Sequence, residues 1–374
     1  MPRPLNVILD LTARCNLKCV MCHFSKYDRI NFPPFDVPAA ADGNMPVALF
    51  EKIAADLFPR AWRVALACAA EPLIHPRFQE LVAIAGRYGV PDLWFPTNLL
   101  ALSEASTEAI FDAKVRTVAA SIDGVTKETY EKIRVGGKWE WLLARLELLR
   151  RMKRERRRSR PRLRIIFTWM KSNRKELAGL PAFAAEHGAV ELDVRYVSES
   201  FGVDVTEELL SGEDPRELNA ELARTAKEAV RRGIRLSSYP EFEGPGGLPR
   251  GMLARARRRL WRLRAGLDRP EIWRYRVNQR LHGCAYPDRN FVIRPNGAVS
   301  PCIYWLEDPI GFYPADRLAA ITAGTPLSRI RAGLHSGKPI GTCAGCNERR
   351  TALYRFRGER AENLAPAHLP THPG

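Results

Sequence analysis

The chain has 374 residues and a formal net charge of +17, from 59 Lys and Arg against 42 Asp and Glu. That length suits one large α/β domain with a smaller one beside it, and no run of eighteen apolar residues offers a membrane span. The N-terminus has no signal-peptide apolar region, so a cytoplasmic location is expected. There the eight cysteines suit metal ligands or core positions better than disulfides.

From Leu5 to Val197 short apolar strands alternate with amphipathic helices. Strands are predicted over 6–11, 63–67, 92–96, 117–122, 163–168 and 191–196, with a further short one over 234–238. Helices are predicted over 46–58, 76–88, 103–113, 139–156, 174–187 and 215–232. Ser103 and Asn173 read as N-caps, and Gly89, Gly188 and Gly233 as the residues that end helices. Six β/α units with short loops predict a parallel sheet, open or curled into a partial barrel. In such folds the reactive groups gather at the C-terminal ends of the strands. Past Gly233, the Pro/Gly stretch 240–249 reads as a linker. The basic segment 252–273 reads as a bridging helix, and the end of the chain as a disordered tail. The basic runs 150–164 and 250–276 carry no interleaved aromatic-rich nucleic-acid module. They read as solvated helix surface, and they favour a neutral or anionic substrate.

Directly after the first strand stand Cys15, Cys19 and Cys22, with three and then two residues between them. A loop of this kind can wrap one corner of a 4Fe–4S cube, which wants four thiolates, and leave one iron open. A zinc site would bring a fourth ligand to close a tetrahedron; His23, adjacent to Cys22, is badly placed to swing onto the same metal. The triplet at the end of a first strand resembles the radical S-adenosylmethionine (SAM) superfamily. That resemblance implies a SAM-binding 4Fe–4S cluster that, once reduced, cleaves SAM to a 5′-deoxyadenosyl radical. It also implies a flavodoxin- or ferredoxin-type electron donor.

Other strand ends carry the same resemblance. Ala69-Ala70-Glu71-Pro72 is similar to the family's Gly-Gly-Glu-Pro loop, which implies that Glu71 and its backbone bind the SAM amino group. Both glycines are Ala here, so the loop must keep ordinary φ/ψ values. Thr97-Asn98 matches the usual third-strand ending, with Asn98 orienting SAM or lining the substrate pocket. In Ser121-Ile122-Asp123-Gly124 and the following Ile133-Arg134, the resemblance implies that Ser121 and Arg134 reach the SAM carboxylate or ribose, while Asp123 shapes the turn. Met21 occupies the place of the family's usual aromatic near the adenine, and Phe24 is a second candidate for that face. Arg195, on the sixth strand, is a weaker candidate for the same pocket.

A second cysteine group follows the linker. The segments 291–294 and 298–300, joined by Pro295-Asn296-Gly297, give a β-hairpin signal that brings Cys284 and Cys302 together; Cys343 and Cys346 add a Cys-x2-Cys knuckle. Four thiolates of this kind hold zinc or a second iron–sulfur cluster. This half resembles the SPASM/twitch extensions of radical SAM enzymes, in the shorter twitch form with one auxiliary 4Fe–4S cluster fully ligated by protein. The fold class expected is therefore α/β, a partial (β/α)6 TIM-like barrel with a small C-terminal twitch/SPASM-like domain built on a β-hairpin and a Cys knuckle. The expected division is a radical SAM core over 1–239, a linker and bridging helix over 240–281, an auxiliary-cluster domain over 282–350 and a tail over 351–374.

The function expected is hydrogen abstraction from a peptide or small-metabolite substrate, with net oxidation assisted by the auxiliary cluster. Two alternatives stand beside it. Cys68, at the end of the second strand, is either a small buried residue or the catalytic hydrogen donor of a redox-neutral epimerase. The basic runs with a zinc site would instead make a zinc-stabilised nucleic-acid-binding protein.

Overall fold

The computed structural model describes residues 5–26, 42–197, 203–238, 284, 286–305, 307–344 and 346. The expected linker, bridging helix and tail, and the basic run 250–276, lie outside them. Ten strands form one open sheet. They are β1 (Leu5–Leu9), β2 (Ala61–Ala65), β3 (Asp92–Thr97), β4 (Thr117–Ser121), β5 (Arg162–Trp169), β6 (Ala189–Tyr196) and β7 (Arg235–Ser238), then β8 (Asn290–Ile293), β9 (Ala298–Ser300) and β10 (Gly311–Phe312). Their spatial order is β10-β9-β8-β1-β2-β3-β4-β5-β6-β7. Strands β1 to β7 are all parallel to their neighbours, so the chain is α/β with the unclosed sheet of a partial TIM-like barrel.

The crossovers are helical, as a parallel sheet requires: α1 (Val47–Leu57), α2 (Phe78–Arg87), α3 (Glu104–Asp112), α4 (Lys127–Ile133), α5 (Trp139–Glu155), α6 (Leu180–Glu186) and α7 (Pro215–Arg231). Ser103 caps α3 in a reciprocal capping box with Ser106, and Gly89, Gly188 and Gly233 take φ of +58°, +70° and +72° after their helices. Three details differ from expectation. The helix expected over 174–187 breaks into a 3-10 turn, Arg174–Ala178, and α6, because Pro181 has no N–H to continue the ladder. Asn173 makes no N-cap bond; instead its amide donates to the carbonyls of Asp123 and Thr168 and its oxygen accepts from Met170 N, tying the end of β5 to the β4 loop. Helix α4 was hidden in the sequence by the short polar stretch around it.

The C-terminal hairpin does not stand apart from the barrel. Strand β8 pairs in parallel with β1, Asn6 to Asn290 through Leu9 to Ile293, and turns back as β9. Asn6 donates to Asn290 across this seam at 2.8 Å. The hairpin region is also fixed to α1, since Asp56 accepts from Tyr313 Oη and Leu318 N, both at 2.7 Å.

Alternation along the strands decides what each face buries. Leu5, Val7, Leu9, Leu163, Ile165, Phe167, Leu192 and Val194 join the core under the helices. The residues between them line the concave face, which carries charge: Arg63 pairs with Asp92 at 3.4 Å and Arg164 with Glu191 at 2.8 Å. The Arg63 guanidinium also lies 4.5 Å from the Trp94 ring centroid. Buried charges persist only when paired, and here the pairs fill the bottom of the barrel and leave the top for the site.

Gly297 closes the hairpin at φ +87°, and a Cβ there would meet Tyr313 O at 2.1 Å. Gly89 has a similar φ but open space around it. Gly297→Ala is expected to cost roughly 2–4 kcal/mol, left-handed strain plus a backbone collision, and Gly89→Ala only about 1 kcal/mol. Urea unfolding midpoints of the two variants check this; equal losses would contradict the hairpin geometry.

Candidate active site

The strand ends of β1 to β4 surround one cavity of about 380 Å³. Cys15, Cys19 and Cys22 line one side of it, and Cys68, Glu71, Asn98, Ser121 and Arg134 line the rest, together with Met21 and Phe24. The structure thus brings together every sequence-predicted residue of the first site except Arg195.

The cysteine loop is held by backbone bonds. Lys18 N donates to Val135 O and Val20 N to Ile133 O, which fastens it to the end of α4. Glu71 N donates to Arg14 O, which fastens the β2 loop to it. Cys19 is buried and Cys15 and Cys22 are half-buried. Burial pushes the Cys15 thiol up to about 12, and Glu71, Cys19 and Cys22 add to the rise through their charge. Cys19 and Cys22 move up for the same first reason. Three crowded, desolvated sulfurs become thiolates readily only against a cationic centre, and metal binding releases their protons. Three thiols on one loop suit three corners of an iron–sulfur cube, whereas a structural zinc site takes four protein ligands. His23 is neutral, pushed down to about 4 by burial, and its Nδ1 lies 3.8 Å from Cys22 Sγ.

Glu71 works as a brace. It is 2% exposed, and its carboxylate accepts from Leu73 N at 3.1 Å, Thr97 Oγ1 at 2.6 Å and Asn98 N at 2.6 Å. These bonds hold the turn in which buried Leu99 adopts φ +68°, a strained value for a residue with a side chain. Asn98 in turn donates to Asn16 Oδ1 at 2.8 Å and reaches within 3.9 Å of Cys15 Sγ. Arg134 is paired with Asp123 and points Nη1 at Cys19 Sγ, 3.6 Å away. Burial opposes its charge, but Asp123, Cys19 and Tyr130 outweigh that and raise its pKa. Asp123 also accepts from Thr168 N at 2.7 Å, so it positions Arg134 as well as shaping the turn.

Sequence reasoning missed the residues that join the two halves of the chain here. Asp10 is fully buried; Oδ1 accepts from Cys68 N at 2.7 Å and Ala69 N at 3.1 Å, and Oδ2 pairs with Arg294 from the hairpin. A lone acid ending an apolar strand was the available signal. Arg294, Ile303 and Tyr304 line the cavity from the hairpin side. Cys68 is pushed up to about 12 by burial and then by Asp10, so it stays a thiol at neutral pH. Arg195 does not line the cavity; it is bound to Asp193 at 2.6 Å. In the second group, the Cys302 thiol is raised by burial and then by the charges of Cys343, Cys284 and Cys346, which puts those three within electrostatic reach of Cys302.

Residues 9–160 match the Radical SAM superfamily. The chain carries a radical SAM domain. A tungsten-containing aldehyde ferredoxin oxidoreductase cofactor-modifying protein of Pyrococcus furiosus is 29% identical over 117 residues, spanning 31% of this chain and 30% of that relative. Among solved structures, SuiB of Streptococcus suis bound to S-adenosylmethionine superposes with a TM-score of 0.65 at 15% identity, covering 93% of this chain and 72% of that one. The anSMEcpe structure with bound AdoMet gives 0.60 at 14% identity, covering 98% and 100%. These similarities show a fold shared over nearly all of the chain. No helix among the described residues is long and apolar enough to cross a membrane.

Glu71 is pushed up to about 7 from 4.5 by burial, against the three hydrogen bonds that favour its charged form. The folded state therefore holds the extra proton between those values, and its stability falls as pH rises through that window. Relative to Glu71→Gln, the stability of the metal-free wild-type protein is expected to fall by roughly 2–3 kcal/mol between pH 4.5 and 7.5. Urea titrations at the two pH values measure it; a difference independent of pH would show that Glu71 is ionised throughout.

Proposed function

We propose that Cys15, Cys19 and Cys22 hold a 4Fe–4S cluster that binds SAM and, when reduced, supplies its cleavage to a 5′-deoxyadenosyl radical able to take hydrogen from a peptide or small-metabolite substrate. The observation that carries this reading is the cavity itself: three thiols share it with strand-end residues suited to an amino-acid nucleotide. Arg134, oriented by Asp123, offers a guanidinium fork to a carboxylate, and Ser121 adds a hydroxyl beside it. Ala69 and Ala70 bring backbone close to the site without bulky side chains. Glu71 acts mainly through the loops it braces. Met21 and Phe24 provide an apolar wall for the adenine, with Phe24, 2% exposed, as backing and Met21 as the more open surface.

In the same reading Cys284, Cys302, Cys343 and Cys346 hold an auxiliary 4Fe–4S cluster of the twitch type. Ile303 and Tyr304, next after Cys302, line the main cavity, so the second group stands within two residues of chain of that cavity. That proximity supports an electron-accepting role and a net oxidation, with a flavodoxin- or ferredoxin-type donor reducing the first cluster. A SuiB structure bound to the precursor peptide SuiA has this fold, with a TM-score of 0.62, which supports a peptide among the substrate classes.

Anaerobic reconstitution with iron, sulfide and a strong reductant tests the reading. The wild-type protein is expected to take up about eight irons, for two clusters of four, and to convert SAM to 5′-deoxyadenosine. Replacing Cys15, Cys19 or Cys22 by Ala should reduce that product to background. Replacing Cys302 or Cys343 should lower iron to roughly four while SAM cleavage persists. A fully loaded, reduced protein that leaves SAM intact would overturn the proposal.

A further inference from the structure

The concave face of β6 holds a polar pair that the cysteine loop and the SAM-side residues do not use. Leu192 and Val194 point into the helix-packed core, so Asp193 and Arg195 face the opposite way. Register places them beside the site. Ser121, a cavity residue, pairs with Ile166, and Ile166 pairs with Asp193. The three therefore form one row across neighbouring strands, on the same side of the pleat, with Asp193 about 10 Å from Ser121 at the usual strand spacing. Arg195 stands one pleat nearer the mouth, opposite Thr168, where its charge couples to Tyr304 and Cys68.

The pair is half-satisfied. Asp193 is 5% exposed, and its Oδ2 binds Arg195 Nη2 at 2.6 Å. Its Oδ1 is buried with no hydrogen-bond partner among the described residues. A carboxylate oxygen left unmatched in the interior is costly, and it calls for a partner that the described residues do not supply. Arg195 has a side chain 53% exposed and is bound to Asp193 through Nη2 alone, which leaves further N–H groups available to an acceptor. Neither residue belongs to the wall that faces the three cysteines.

We infer that Asp193 and Arg195 are the substrate-positioning pair, and that the substrate is an amino acid or peptide gripped by its main chain. Asp193 Oδ1 accepts from an ammonium or amide N–H, and the free edge of Arg195 donates to the adjoining carboxylate or carbonyl. A neutral but fully charged Asp–Arg pair matches a zwitterion or an amide dipole. The planar fork suits the planar acceptor. Held there, the substrate side chain faces Cys68 and Ser121, toward the radical source. Arg195 thus moves from the cofactor side, where sequence reasoning had placed it, to the substrate side.

This inference rests on the radical reading, and its test separates the two. An extract of uniformly deuterated cells that natively express the chain is divided into peptides, free amino acids, and a remainder freed of both. Each fraction is incubated with reconstituted enzyme and unlabelled SAM, and deuterium in the 5′-deoxyadenosine is read by mass spectrometry. Deuterium is expected from the peptide or the amino-acid fraction, and the two arms tell those sources apart. In Arg195→Gln and Asp193→Asn the deuterated share of the deoxyadenosine is expected to fall at least about tenfold, the effect of losing one charge-assisted hydrogen bond. Because the readout is a share of product, a general loss of activity does not move it. Deuterium arriving only from the remainder, no deuterium from any fraction while SAM is cleaved, or an unchanged share in both variants would overturn the inference. Absence of deoxyadenosine altogether would instead remove the radical reading beneath it.

Discussion

The top of the barrel depends on one buried carboxylate. Asp10 follows β1 and precedes the cysteine loop, and it has three jobs at once: it accepts two amide N–H groups from the start of the β2 loop and pairs with Arg294 of the C-terminal hairpin. Removing one member of a buried pair strands the other, at a cost of about 3–5 kcal/mol. The linkage therefore locks three segments distant in sequence into one geometry. The cysteine loop, the Ala69-Ala70 backbone and the hairpin that carries Cys302 cannot shift independently.

Around that point the same economy recurs. Glu71 braces the β2 and β3 loops, Asp123 holds Arg134 against Cys19, and Asn98 ties β3 to Asn16. In each case a polar side chain that sequence patterns assign to a cofactor is satisfied first by the protein. Preorganisation of this kind places the groups that face the cavity on a rigid support, and the strained turn at Leu99 shows how firmly that support is held. The residues left with open valence, Asp193 and the free edge of Arg195, stand on β6, two strands along the sheet from Ser121.

Much of this was legible in the sequence because it obeys short-range rules. Strand and helix periodicity placed β1 to β7 within two residues or so, glycines with positive φ ended the helices, and the cysteine spacing located the site. What escaped depends on long-range pairing. Nothing local in Asn290–Ile293 says that it pairs with β1, so the hairpin read as a separate unit although it extends the barrel sheet. Asp10 and Arg294 are 284 residues apart, and each alone looks like an ordinary charge beside a strand. Asn173 has the composition of a cap, yet the carbonyls of Asp123 and Thr168 compete for its amide and win. The charged concave face was invisible for a related reason: alternation reveals that residues such as Arg164 and Glu191 share a face, but only the register between β5 and β6 shows that they meet.

The central claim is that three protein thiolates hold a cluster with one iron left for SAM. The most direct measurement is electron–nuclear double resonance on the reduced, reconstituted protein with SAM isotopically labelled at its amino nitrogen and carboxylate oxygens. Hyperfine coupling of both labels to the cluster spin is expected, because both groups would then bind the open iron. A protein loaded with iron and sulfide, with SAM bound, that shows neither coupling would contradict it.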